Sequence, residues 1–546
     1  MKRNGMCPLC FLKQLFTKPE SVTNIYNTEP YSNGVALTPP MGWSSWNTFK
    51  NRIDEDLIYE TARIMKEKGL ADAGYVYVNL DDNWHSSMRD DNGALQGDLS
   101  TFAHGIPALV EKINALGLKV GIYSSNGTET CEDLPATLYH ERTDALTFAR
   151  WGIEYFKYDF CHNIKVSGYA PLVYGISVSR KGEREETFYP CTDAKLYGYA
   201  RIMTKSAVPG GKYVGGMDRN AGAMQYDNVI ADEDGEYVLT LNVHKKGKTY
   251  KKAAMILIND TDDYFVELPP QKKWNVTARF QTVVRLKKGI NKIRIFNPVR
   301  NRADSELLQY RNMGRQLVYA ANKVAEDTGK PVKPIVFSLC EWGVGRPWQW
   351  GALAGNLWRT TPDIRPNWKW MMAIYERNVR LHEHAGVGHW NDPDMLEVGN
   401  GKLTYDENRA HFSVWCMMAA PLILGNDLRK MPDNVLEIVT NRNLIAVDQD
   451  PLGKQAKRVF RSLNADILAK PLADGSVAIC FFDKFGGKRA MVYSLRSLTA
   501  DPYVSLKSAQ SYTLTDLWSN ESYEATDNLR VELEPHSAKV FKVIPR

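Results

Sequence analysis

Between residues 41 and 159, short apolar or aromatic runs alternate with stretches of helical period. "MGWSSWNTF" precedes an amphipathic pattern over 54–68, "YVYVNLDD" one over 106–116, and "KVGIYSS" one over 139–151, after which "EYFKYDF" follows. Apolar strands that alternate with helices predict parallel strands joined by crossovers. After Asp159 the rhythm breaks. From about residue 165 to 300, "GGKYVGG", "GEYVLTLNV", "AAMILIND", "YFVELP", "ARFQTVVRL" and "INKIRIF" are separated by Gly, Asp, Asn and Pro turns, which predicts an all-β insert of sandwich length. Helical period returns over 305–328. It is followed by "PIVFSLCEW", a helix near Trp348, "LWRTTPDI", a helix over 368–383, "GHWNDPDML", a helix over 407–418 and "PLILGNDL". Across both sides of the insert the parallel strands number eight, and eight parallel strands close as a (β/α)8 barrel. Beyond residue 454 only strand-like runs remain, among them "DILAKPLADGSVAICFFDK", "AMVYSL" and "AKVFKVIP".

The fold class expected is therefore α/β: a (β/α)8 TIM barrel interrupted by an inserted β-sandwich, with a C-terminal antiparallel β domain. The expected boundaries are an N-terminal extension over 1–37, barrel halves over 38–164 and 304–453, the insert over 165–303 and the terminal domain over 454–546. Composition agrees with this plan. The 546 residues are 44% hydrophobic and 24% charged, enough for large cores. The net charge of +6 is small for this length, and the one basic run, "HKKGKTYKK" at 244–252, reads as a solvated hairpin, so no nucleic-acid partner is expected. No stretch reaches the roughly 20 apolar residues of a membrane span. The N-terminal "MKRNGMCPLCFLKQLF" is a poor signal peptide, its apolar run broken by Pro8, Lys13 and Gln14, which points to a cytoplasmic protein. Cys7 and Cys10 form a lone CxxC without a second pair, which zinc would need. A homo-oligomer is compatible with the sequence.

Barrel enzymes react at the C-terminal ends of their strands, so the residues there are the candidate chemistry. The first strand ends at Trp46, the second at Asp81, Asp82 and Trp84, the third at Tyr123, and the fourth at Lys157 and Asp159. The fifth ends at Cys340, Glu341 and Trp342, the sixth at Arg359 and Asp363, and the seventh at Trp390, Asp392 and Asp394. No Gly-rich phosphate cradle and no histidine-rich metal set occurs among them, and no cofactor is expected. His389 stands alone beside the seventh strand and reads as structural. Paired carboxylates with aromatic walls fit glycoside hydrolysis, in which one acid supports the anomeric carbon and another protonates the leaving oxygen. Two other readings compete. Acidic strand ends can cap helices, and Asp392 and Asp394 around Pro393 can shape a turn. Clustered carboxylates also bind Mg²⁺, but Lys157 and Arg359 among them would oppose a cation.

"TPPMGWSSWNTF", "LDDNWH", "LGLKVGIYSSNGTETC", "WGIEYFKYDFCHN", "SLCEWG", "WRTTPDI", "WNDPDML", "MAAPLILGNDLR" and "VDQDPLGKQ" together resemble glycoside hydrolase family 27, the α-galactosidases and α-N-acetylgalactosaminidases. The resemblance covers residues 38 to about 163 and 305 to about 455. It implies a retaining exo-α-galactosidase with Asp159 as nucleophile and Asp363 as general acid/base. It also implies a galactose pocket lined by Trp46, Asp81, Asp82, Tyr123, Lys157, Glu341, Arg359 and Asp394. Cys131 and Cys161 match a disulfide pair of secreted family members, and in a reducing cytoplasm they would stay thiols. Glu341 matches what the galactosidases carry after strand five, where small residues suit the N-acetylgalactosaminidases.

Elementary electrostatics adds two expectations. Lys157, two residues from Asp159 on one strand face, should lower the nucleophile's pKa. Burial of Asp363 against Trp358, near the Asp159 carboxylate, should keep the acid protonated. The same residues leave open α-N-acetylgalactosaminidase or β-L-arabinopyranosidase activity, and a non-catalytic galactose-binding protein. The insert departs from the family's short loop at this point and resembles carbohydrate-binding modules of families 6 and 35. That implies sugar binding, or a purely architectural sandwich.

Overall fold

The structure is a computed structural model and describes residues 20–23, 26–245, 251–268 and 276–546. Cys7, Cys10 and the middle of the basic run at 244–252 lie outside the described residues. The chain divides into two compact units, Tyr31–Asn163 with Met313–Arg546, and Glu20–Pro30 with Ile164–Asn312.

The first unit contains eight parallel strands: β1 (Met41–Ser44), β2 (Tyr77–Asn79), β3 (Lys119–Ser125), β4 (Tyr155–Asp159), β5 (Val336–Leu339), β6 (Leu357–Arg359), β7 (Trp390–Asp392) and β8 (Leu422–Leu424). They pair in the order β7-β6-β5-β4-β3-β2-β1-β8. A parallel bridge from Leu396 to Leu424, with the Leu396 N–H 2.8 Å from the Ile423 carbonyl, joins the two ends and closes the barrel. Glycine sets the packing inside. A Cβ on Gly121 would stand 1.9 Å from Asn79 Oδ1 and 2.9 Å from Tyr155 Cβ, so only hydrogen fits between β2 and β4.

The crossover helices start where the sequence supplies caps. Glu55–Glu67 begins at Asp54, whose carboxylate accepts the Leu57 N–H at 2.8 Å. Tyr405–Met417 begins with a reciprocal capping box between Thr404 and Glu407. Two expectations change here. The helix near Trp348 is replaced by two 3₁₀ turns, Pro347–Gln349 and Gly351–Leu353, because proline and glycine punctuate that stretch. The helix over 368–383 ends at Asn378 and continues only as a 3₁₀ turn. No helix among the described residues is long and apolar enough to cross a membrane.

The second unit is a two-sheet sandwich. Val173, Ile176, Leu239 and Leu241 from a six-stranded sheet share one core with Met224, Tyr226, Ile256 and Ile293 from a five-stranded one. Two of its long strands, Leu172–Arg180 and Gly222–Ala231, are interrupted by bulges in their ladders, which blurs their period-2 pattern in the sequence.

The C-terminal residues form a six-stranded antiparallel sheet beside a two-stranded one, with Ile467, Phe481 and Leu514 packed against Leu529 and Val531. This domain meets the helix Trp368–Asn378 through a buried charge cluster. Asp466 accepts Lys484 at 2.9 Å, Arg458 at 3.0 Å and the Tyr375 hydroxyl at 2.8 Å, while Glu376 takes the other side of both cations. Removing Asp466 leaves Lys484, which is 3% exposed, and Arg458 to share Glu376, one buried positive charge in excess, and takes the acceptor from the Tyr375 hydroxyl. The expected cost of Asp466→Ala is about 3–5 kcal/mol, read as a lowered urea midpoint. An unchanged midpoint would show that the cluster does not stabilise the protein.

Candidate active site

Parallel strands deliver their C-terminal ends to one rim of the barrel. There a cavity of about 190 Å³ is lined by Trp46, Asp81, Asp82, Tyr123, Lys157, Asp159, Arg359, Asp363 and Asp394. These are the expected site residues except Glu341.

Asp159 ends β4, buried, with Oδ1 accepting the Phe160 N–H at 2.8 Å and Oδ2 accepting the Tyr123 hydroxyl at 3.2 Å. Burial pushes its carboxyl up to about 6, Lys157 opposes the shift and Asp363 adds to it. The expectation of a lowered pKa is thus corrected: Lys157 does act in the lowering direction, but desolvation outweighs it. The direct partner of Lys157 is Asp81, at 2.8 Å, and its ammonium stands 5.2 Å above the Tyr123 ring. Strand neighbours explain this. Lys157 pairs across the barrel wall with Tyr123 of β3, and its long side chain reaches on to the carboxylate beyond β2.

Asp81 and Asp82 follow β2. The Asp81 carboxylate also accepts the Asp82 N–H at 3.0 Å and the Ser44 hydroxyl at 3.4 Å. Asp82 accepts the backbone N–H groups of Asn83 at 2.8 Å and Glu132 at 3.1 Å, yet burial raises its carboxyl to about 8. Behind it His85 stacks on Trp84 at 4.0 Å and is held neutral by burial, which lowers its pKa to about 3.

Arg359 at the end of β6 holds two carboxylates, Asp394 at 2.7 Å and Asp363 at 3.1 Å. Asp394 has φ +88°, a conformation few side chains tolerate, and is fixed by three more contacts. Its oxygens accept the N–H groups of Met395 at 2.7 Å and Ile364 at 2.8 Å, and its own N–H donates to Asp392 at 2.8 Å. Asp392 therefore shapes the turn and does not line the cavity. Asp363 is 29% exposed and stands by Trp370, whose indole N–H donates to its carbonyl. Trp358, expected as its wall, is fully buried and bonded to Asn391 at 2.9 Å. His389 is structural, bonded to the Tyr31 carbonyl at 2.9 Å.

Glu341 is the residue the cavity does not receive. Its carboxylate is buried and accepts the Gly345 N–H at 2.7 Å. Trp342, with φ +63°, and Gly343, with φ +78°, turn the chain so that the Trp342 indole lines the cavity. Sequence reasoning took the charged residue of "CEWG" for the ligand contact, whereas the left-handed turn presents its aromatic neighbour. Asn47, Lys50, Arg365, Trp370 and Met395 also line the cavity and were missed. Each lies within seven positions of an expected residue, but nothing in local pattern separates an inward side chain from an outward one in a loop.

Cys131 and Cys161 form a disulfide, with Cys131 Sγ 3.8 Å from Asp159 Oδ2. It ties the loop after β3 to the residues just past Asp159. Two groups among the described residues have the spacing of metal ligands. In Cys131, Asp159 and Cys161 the sulfurs are consumed by the disulfide. In Glu129, Asp133 and His162 the two acids are exposed, and His162 Nε2 stands 3.1 Å from Asp133. Within the cavity Lys157 is paired with Asp81, and Arg359 with Asp363 and Asp394.

Residues 38–197 and 309–450 match the family model described as Alpha galactosidase A, and residues 463–543 match the Alpha galactosidase C-terminal beta sandwich domain. Alpha-galactosidase 2 of Arabidopsis thaliana is 32% identical over 94% of this chain and 91% of its own length. The Alpha-galactosidase of Cyamopsis tetragonoloba is 30% identical over 95% of this chain and 90% of its own. The crystal structure of alpha-galactosidase I from Mortierella vinacea superposes with TM-score 0.65 at 25% identity, covering 94% of this chain and 98% of that one.

The raised pKa of Asp159 carries a stability cost. The unfolded chain releases this proton near 3.8 and the folded protein near 6, so stability falls as pH rises through that window. Asp159→Asn removes the buried charge. It should be more stable than the parent above pH 6 by about 2–3 kcal/mol, with the difference vanishing below pH 4. Thermal midpoints at pH 4 and 7.5 test this, and a constant difference between the two proteins at both pH values would refute the assignment.

Proposed function

The chain belongs to glycoside hydrolase family 27, the α-galactosidases, and on that premise we propose that it is a retaining exo-α-galactosidase that removes terminal α-linked galactose from oligosaccharides or glycoconjugates. The observation that carries this reading is a single cavity with two carboxylates of unequal setting, Asp159 buried at its floor and Asp363 half-exposed under Arg359. Ionised Asp159 attacks the anomeric carbon while Asp363 gives its proton to the leaving oxygen, forming a glycosyl-enzyme. Arg359, 3.1 Å from Asp363, steadies the carboxylate left behind. Asp363 then takes a proton from water, which attacks the same carbon and releases α-galactose.

In this reading Asp81, held by Lys157, and Asp82 accept sugar hydroxyls, which their place in the cavity lining supports. An epimer that moves one hydroxyl leaves a buried acceptor unmatched, which favours galactose over glucose. In place of the charge of Glu341, the bulk of Trp342 fills the wall after β5, and a 2-acetamido group would have to displace it. This favours galactosidase over N-acetylgalactosaminidase activity, and the presence of both carboxylates argues against a silent binding protein. Sugar binding by the inserted sandwich belongs to the same proposal. For location, the buried Cys131–Cys161 disulfide favours an oxidising compartment over the cytoplasm expected from the N-terminal residues.

On nitrophenyl α-galactoside, kcat/KM should fall as pH drops through about 6, where Asp159 takes up its proton. Asp159→Asn should lose at least about a thousandfold in kcat. Proton NMR of fresh hydrolysate should show the α anomer first. β-Galactose appearing first would overturn the double displacement, and faster turnover of the N-acetylgalactosaminide or the β-L-arabinopyranoside would overturn the substrate.

A further inference from the structure

The cavity has a floor and a mouth of different charge. Asp81, Asp82, Tyr123, Asp159, Arg359 and Asp394 at the floor are buried, whereas Trp46, Lys50, Asp363 and Trp370 are half-buried and Arg365 is exposed. At the mouth each cation lies over an aromatic ring, Lys50 4.9 Å from Trp46 and Arg365 4.7 Å from Trp370.

Lys50 reaches this place at a backbone cost. It closes the short helix Trp46–Phe49 with φ 54° and ψ −124°, a region that L residues avoid and that accumulates at functional sites. Among the described residues it has no carboxylate within ion-pair distance. Glu397, with which it interacts through space, is buried, with its oxygens taken by Asn47 at 2.9 Å and Asn400 at 2.6 Å. Asp363, the half-buried acid among the described lining residues, already lies with Arg359, and at the floor Lys157 and Arg359 face four carboxylates.

We propose that Lys50 and Arg365 form an aglycone subsite for an anionic group, so that the favoured substrates carry a carboxylate, sulfate or phosphate on the unit attached to galactose. The inference rests on the galactosidase reading and deepens it. Galactose fills the buried floor, and the leaving unit occupies the mouth. There a neutral sugar gains only stacking on Trp46 and Trp370, while an anion gains two charge-assisted contacts, one with half-buried Lys50 and one with exposed Arg365. The floor acids repel an anion, which keeps the charged unit out of the galactose subsite and sets its orientation.

The test compares 4-carboxyphenyl and 4-sulfophenyl α-galactosides with the neutral 4-carbamoylphenyl α-galactoside. Its readout is the ratio of kcat/KM for anion to neutral, in which leaving-group differences cancel between enzyme variants. Lys50→Met combined with Arg365→Leu should lower that ratio about tenfold. Lys50→Arg should keep it within about twofold, and Lys50→Glu should lower it further. In the parent enzyme the ratio should fall as ionic strength rises from about 0.02 to 0.5 M. The carboxylate and sulfate arms show which anion the subsite prefers. A ratio unmoved by the double variant and by salt would show that the mouth is a neutral stacking surface and overturn the proposal. Failure of the parent enzyme on 4-nitrophenyl α-galactoside would instead remove the galactosidase reading, and this inference with it.

Discussion

Burying charge at the barrel rim is the constraint on which the rest of the site depends. Five carboxylates share one cavity with Lys157 and Arg359 at its floor, and an isolated ion there would cost several kcal/mol. Each cation therefore serves more than one acid. Lys157 takes Asp81 directly and tempers Asp159 through space, and Arg359 spans Asp363 and Asp394. What remains unbalanced appears as raised pKa values at Asp82 and Asp159. A carboxyl whose pKa lies near 6 is still ionised at neutral pH and keeps more basicity than a fully stabilised carboxylate. Its incomplete compensation is thus part of its chemistry.

The backbone supports this arrangement with local strain. Trp342, Asp394 and Lys50 all hold positive φ, and each delivers a side chain to the cavity that an extended or helical backbone would aim elsewhere. Such conformations persist only where surroundings over-determine them. Around Asp394 the determinants are visible: its two oxygens and its N–H make four fixed contacts. The Cys131–Cys161 disulfide does the same for the loop beside Asp159. The inward-facing glycines serve closure, since β2, β3 and β4 could not approach if Gly121 carried a side chain.

The acids and cations of the site are legible in the sequence because strand ends are marked by composition. Asp81, Asp82, Lys157, Asp159, Arg359, Asp363 and Asp394 interrupt apolar runs, and a polar residue ending a strand that is buried on both faces needs a reason. The readings that changed share one cause. Glu341 and Trp342 are adjacent, and only the sign of φ decides which enters the cavity. Lys157 is two residues from Asp159, but the chain spacing does not reveal that Asp81 of another strand stands closer to its ammonium. Lys50 and Arg365 sit in loops, where periodicity carries no information about direction.

The sequence by itself determined the class of fold, the two places where the barrel rhythm stops, and the acids that the strand ends carry. Those follow from hydrophobic period and from the right-handed crossovers that parallel strands require. Only the tertiary structure decided which acid pairs with which cation, whether desolvation or Coulomb attraction controls Asp159, and that Lys50 and Arg365 line the same cavity as the acids. Pairing and burial depend on distances between strands far apart in the chain, and electrostatic energy depends on those distances and on the surrounding dielectric, neither of which any local stretch of residues encodes.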